Sequence, residues 1–329
     1  MQINELIDTN RMEISYKTLM PDKIARKIVF NHFNRINEGE ITVIEGSEHL
    51  VFGEMTPNFP IQATIKVLNP KMYLDIVAKG LNGSADSFIK GWWTCNELTS
   101  LVRIFTRNRD AANQFESGIA NLATFFLKLS HSFRKSNLKE SLRNIHAHYD
   151  LGNDFFSTFL DDTRMYSCAI FSKPESSLHE ASITKIDRIC KKLDLTPSDH
   201  LLEIGTGWGG FALYAAKNYG CRITSTTISQ EQFIFSKNLI KKNGLQDQVT
   251  ILKKDFRELE GQFDKLVSIE MIEAIGHRLY QTFFQKCGQL LKPEGLILIQ
   301  SITIADNLFE ESKNFIDFIK QYIFPGSCI

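Results

Sequence analysis

From about residue 177 onward, apolar β-type runs alternate strictly with helical ones, and this limits the fold more than any other feature of the chain. A helical stretch with Ile186, Ile189, Cys190 and Leu193 on one face precedes the strand DHLLEIG. Then come helix GGFALYAAKN, strand CRITSTTIS, helix QEQFIFSKNLIKKN, and the strands VTILKKD and DKLVSIE. Helix YQTFFQKCGQLL, closed by Lys292-Pro293-Glu294-Gly295, leads into strand LILIQSIT. Strands separated mainly by helices imply βαβ units, right-handed crossovers and a largely parallel sheet. The expected fold is α/β, a doubly wound Rossmann-like sheet over residues 148–329.

Two regions precede it. In residues 1–115, short β-like runs (ITVIEG, HLVFGEM, QATIKVLN) mix with helical ones (KMYLDIVAKGL, ADSFIKGWW, ELTSLVRIFTRN), as in a small α+β domain. Residues 116–147 carry Lys128, Arg134, Lys135, Lys139 and Arg143 against Glu116 and Glu140. Apolar Leu122, Phe125, Phe126, Leu129 and Phe133 recur there at helical spacing, so the segment reads as a basic amphipathic linker helix. Such a helix packs against a domain or lies on an anionic membrane surface.

The 38 basic residues balance the 38 acidic ones, so no global charge draws the chain to nucleic acid. Six scattered cysteines, with no C-x-x-C and no His at ligand spacing, argue for reduced thiols rather than a disulfide frame or a metal site. The start, MQINELIDTNRMEISY, lacks the pattern of a secretory signal. No apolar run of about eighteen residues spans a membrane. A cytoplasmic protein is expected.

Strand DHLLEIG runs into Gly205, Gly207, Gly209 and Gly210, where backbone can approach a ligand closely. Gly205-x-Gly207-x-x-Gly210 formally satisfies the dinucleotide fingerprint. That fingerprint also wants an acid about twenty residues on for the ribose hydroxyls. The corresponding stretch, CRITSTTISQ, contains none. Glu203, two residues before the first glycine, suits a cationic ligand instead: E-x-G-x-G-x-G looks like motif I of S-adenosylmethionine-dependent methyltransferases.

Further blocks make the resemblance specific: HYDLGNDFFSTFLDDTRMYSCAIF (148–171), TTISQEQ, SIEMIEAIGH (268–277), QSITI (300–304) and FIKQYIFPGSC (318–328). Together with LLEIGTGWGG they resemble the cyclopropane-fatty-acid synthase family, which includes the mycolic acid cyclopropane synthases. The likeness is strong over about residues 145–329 and looser through SADSFIKGWWTCNEL and TRN. It implies transfer of the S-adenosylmethionine methyl to a cis double bond of phospholipid acyl chains, then closure of a carbocation to a cyclopropane. A bound bicarbonate would be the base. Peripheral association with the inner face of the membrane and a possible homodimer come with the resemblance.

Carried over by position, Tyr166, Ser167, Glu203, Gly205 and Gly207 would meet the cofactor's methionine portion and its surroundings. Thr227, Ile228 and Gln232 would meet its ribose, and Asp255 and Phe256 its adenine. Ile228 and Phe256 also have core roles available, and Gln232 could be a solvated helix start. The bicarbonate would take the Cys168 backbone N–H, the Glu273 carboxyl and the Ile302 backbone, with Gln300 where many relatives have His. Glu270 competes with Glu273 for the carboxyl role.

The resemblance also implies more chain after YIFPG-x-C, including the closing strands of the sheet. A largely apolar last strand, LILIQSITI, is expected to need cover. On that reading the methyltransferase domain is incomplete. The alternatives are a non-catalytic remnant that binds cofactor or membrane, and an alkene C-methyltransferase of lipid.

Overall fold

The computed structural model describes residues 20–109, 152–324 and 326–328; the basic segment 116–147 lies outside them. The chain divides into two compact units, Met1–His131 and Ser132–Ile329.

In the first unit, β1 (Gly39–Glu45) and β2 (Glu48–Glu54) form an antiparallel hairpin. Its turn uses Gly46 at φ +58°, a conformation glycine adopts without a Cβ penalty. β3 (Gln62–Val67) pairs parallel to β1, and β4 (Trp93–Cys95) pairs antiparallel to β3, giving the order β2-β1-β3-β4. Helix Met20–Phe33 supplies Val29 and Phe33 to a core with Ile41, Val43, Ile65 and Ile104. The helix predicted through ADSFIKGWW stops at Ile89. Gly91, at φ +68°, reverses the chain, and Trp93 enters the sheet with its indole N–H donating to Ser84 O and Ser87 Oγ.

The second unit holds five parallel strands: β5 (His200–Ile204), β6 (Arg222–Thr227), β7 (Val249–Lys253), β8 (Phe263–Ile269) and β9 (Leu291–Gln300). Their order, β7-β6-β5-β8-β9, is the doubly wound arrangement that the alternating pattern predicts. Each face of the sheet carries its own core. Ile186, Ile189, Phe211, Ala215, Ile223 and Val267 fill one, while Leu202, Ile204, Leu266, Phe283 and Cys287 fill the other. Helix Leu178–Lys192 starts with a capping box, Ser177 and Glu180 each bonding the other's backbone N–H.

β9 begins five residues earlier than the pattern LILIQSIT suggests. Phe263 pairs with Leu291 but Lys265 with Leu296, so Lys292–Gly295 form an irregularity inside the strand. Pro293 has no N–H to give a ladder, which suits it to that position. The order in which strands are added switches direction between β5 and β8, the point at which the carboxyl ends of such a sheet flank a ligand crevice.

Candidate active site

The loop leaving β5 has two kinds of glycine. A Cβ on Gly210 would sit 2.2 Å from Thr163 O, and one on Gly209 2.9 Å from Ser236 Cβ, so these two permit close packing. Gly207, at φ +53°, would meet nothing within 4 Å: its backbone borders open space. Gly205, at φ +102°, turns the chain out of the sheet beside Met271.

Beneath this loop lies Glu203, 2 % exposed. Ser225 Oγ donates to its carboxyl and bonds Thr206 Oγ1 in turn. Burial pushes Glu203 up to about 8, and the Ser225 hydroxyl offsets only part of that. A buried acid under an open glycine turn, without a cationic partner among the described residues, is a seat suited to a positive group. At the end of β6, Thr227 Oγ1 donates to Gln232 Oε1 at 2.8 Å, with both residues buried and Ile228 half-buried between them.

Asp255 caps the turn Phe256–Glu258 and is gripped by Arg257 through Nε at 2.7 Å and Nη2 at 2.9 Å. Phe256 is a core residue, edge-on to Phe283 at 5.5 Å. Tyr166 packs among Phe156, Phe159 and Phe324, and Trp208 lies against Phe156.

A second cluster forms where β8 and β9 end. Glu273 is buried; its Oε1 accepts the Ile302 N–H at 2.6 Å and its Oε2 has no hydrogen-bond partner among the described residues. Burial raises its pKa first, and the nearby Glu270 carboxylate adds to the rise, against the Ile302 N–H. Glu270 Oε1 accepts from the Cys168 N–H at 2.8 Å and from Gln300 Nε2 at 2.9 Å. Gln300 Nε2 also reaches Cys168 O at 3.2 Å.

Lys185, 1 % exposed, donates to Ser167 Oγ. Burial pushes this lysine down to about 8, opposed by the charges of Glu270, Cys168 and Asp161.

Thus Cys168, Glu273, Gln300 and Ile302 are brought together, and Glu203, Gly205, Gly207, Thr227 and Gln232 gather at neighbouring strand ends. The sequence pattern ranks Glu270 behind Glu273 and singles out no role for Lys185. The signal for Lys185 was there: it shares the helix face of Ala181, Ile186 and Ile189, where an ammonium is costly without a purpose.

A five-stranded doubly wound sheet with this acid and glycine loop defines a methyltransferase of the Rossmann-like class. Residues 136–329 match the family described as Mycolic acid cyclopropane synthetase, and the chain belongs to that family. It is 36% identical over 267 residues to the cyclopropane-fatty-acyl-phospholipid synthase of Escherichia coli (strain K12), covering 81% of this chain and 67% of that one. It is 34% identical over 261 residues to the tuberculostearic acid methyltransferase UfaA1 of Mycobacterium tuberculosis, covering 76% of this chain and 60% of the relative. Among solved structures, the mycolic acid cyclopropane synthase CmaA1 complexed with SAH and CTAB superposes with a TM-score of 0.54 at 34% identity, over 57% of this chain and 69% of that one. The chain spans about two thirds of the length of these relatives. No helix among the described residues is long and apolar enough to cross a membrane.

Proposed function

We propose that this chain binds S-adenosylmethionine at the Glu203–Gly207 turn and adds its methyl carbon to a cis double bond of phospholipid acyl chains, closing a cyclopropane. The observation that carries the reading is Glu203, buried and unpaired by any cation among the described residues, beneath a loop whose Gly207 borders open space. When bound, the cofactor supplies an electrophilic methyl on a sulfonium. The chain's own residues do the rest. Glu203 offers the ammonium a carboxylate in a dry setting, where the attraction is far stronger than in water. Thr227 and Gln232 present neutral hydrogen-bonding groups for the ribose. Phe155 and Phe159, exposed and edge-on to each other at 5.6 Å, offer an apolar surface against which an acyl chain can lie.

An alkene is a weak nucleophile, so the rate must come from alignment and exclusion of water. The methylated chain then carries positive charge, and a base must take a proton from the added carbon. Bicarbonate, the base expected from the family likeness, fits these residues poorly. The Cys168 N–H is held by Glu270 and the Ile302 N–H by Glu273.

The membrane role rests on Lys128, Arg134, Lys135, Lys139 and Arg143, a basic amphipathic run suited to an anionic inner leaflet. The test is purified protein with methyl-labelled S-adenosylmethionine and vesicles of dioleoyl phosphatidylglycerol. Label should enter acyl chains that resist hydrogenation; label in chains still open to hydrogenation, or in branched ones, selects the alkene C-methyltransferase reading.

A further inference from the structure

Three observations converge on Glu270. First, it holds two donors that an external anion would use there: the Cys168 N–H and the Gln300 amide converge on Oε1. Oε2 is left without a hydrogen-bond partner among the described residues. Second, its backbone lies at φ +47°, which disfavours any residue with a Cβ, and it is pinned by its N–H donating to Gln300 O at 2.8 Å. A glutamate kept where glycine would be unstrained points to a use for the side chain. Third, its charge acts both on the buried Lys185 ammonium of the helix Leu178–Lys192 and on the buried Glu273 carboxyl of the turn after β8.

We infer that the Glu270 carboxylate is the proton acceptor of the ring-closing step, built into the chain where bicarbonate was expected. The inference rests on the acyl-methylation reading above. In this step a C–H bond of the transferred carbon breaks, and its electron pair closes the new C–C bond onto the cationic carbon. The proton goes to Glu270 Oε2 and then to solvent. Glu273 takes the complementary part: buried, with a raised pKa and an Ile302 N–H on one oxygen, it holds the β9 end in place beside the reacting carbons.

The test compares Glu270→Gly and Glu270→Gln with the wild type. Glycine at φ +47° relieves strain, so the first variant keeps the fold and vacates the donors. The amide of the second keeps the space filled without a base. Line broadening of ¹³C-bicarbonate in NMR should show binding to Glu270→Gly and none to wild type or Glu270→Gln.

In bicarbonate-free buffer, both variants should lose product formation by on the order of 100-fold or more. Added bicarbonate should restore Glu270→Gly alone. Wild-type protein that binds bicarbonate, or loses turnover when it is stripped away, overturns the inference, as does unchanged turnover in Glu270→Gln. A wild type that makes no methylated acyl chain in any buffer overturns the acyl-methylation reading itself.

Discussion

Replacing Glu203 with Gln should weaken cofactor binding while strengthening the cofactor-free fold, and the two effects should follow pH in a defined way. The folded carboxyl titrates at about 8, against an ordinary glutamate value of 4.5. Between those values the unfolded chain has released its proton and the folded chain has not, so wild-type stability falls as pH rises. For these two values the loss between pH 5 and pH 7 is about 2.5 kcal/mol. The amide of the Glu203→Gln variant has nothing to titrate and still offers an oxygen to the Ser225 hydroxyl. Urea unfolding should therefore show the variant's advantage over wild type growing by about that amount between those two pH values.

Binding runs the other way, because a cationic ligand needs the ionised carboxyl. Between pH 6 and pH 7 the ratio of variant to wild-type dissociation constants for S-adenosylhomocysteine should rise about tenfold. The ratio cancels the ligand's own titration, which in any case lies higher. A pH-independent ratio in calorimetry, or a variant less stable than wild type at pH 7, refutes the reasoning.

Gly207→Ala should cost the fold only about 1–2 kcal/mol from its positive φ yet reduce cofactor affinity, whereas Gly210→Ala, colliding with Thr163 O, should lower the melting temperature much further; equal melting temperatures contradict the division of the glycines. Glu273→Ala, which removes the acceptor of the Ile302 N–H, should lower product formation while leaving cofactor affinity intact in calorimetry, and full activity would remove Glu273 from the mechanism. Wild-type rate should lose its Lys185-dependent part as pH rises through about 8, and Lys185→Met should lack that inflection; superimposable profiles would take Lys185 out of the site's electrostatics. Neutralising Lys128, Arg134, Lys135, Lys139 and Arg143 should reduce sedimentation with anionic vesicles by about 1 kcal/mol per residue at the surface, with a salt-sensitive loss. Equal pelleting would return that segment to a linker role.

The sheet was readable because its signals are local. Apolar runs of strand length alternate with amphipathic helices, and the face Ile186, Ile189, Cys190 and Leu193 is buried as its spacing requires. Glu203 and the glycines were readable too, since a charge two residues before a turn-forming run is unusual in a central strand. Local pattern could not separate Gly207, which borders open space, from Gly209 and Gly210, which fit against Ser236 and Thr163. That difference depends on which distant segment packs there. Nor could it show that Arg257 engages both oxygens of Asp255, or that three residues, Trp93–Cys95, add a strand through pairing with β3. The carboxylate cluster was half visible. Glu270 and Glu273 stand out on an apolar segment, but their division of labour follows from contacts 102 and 29 residues away in the chain, with Cys168 and Ile302.

The most direct test of the central claim is expression of this chain in a bacterium lacking any cyclopropane synthase, followed by mass spectrometry of its phospholipid acyl chains. The account predicts acyl chains heavier by one methylene unit and resistant to hydrogenation, lost in the Glu203→Gln and Glu270→Gln variants. Unshifted acyl chains, with folded protein confirmed in the same cells, would contradict it.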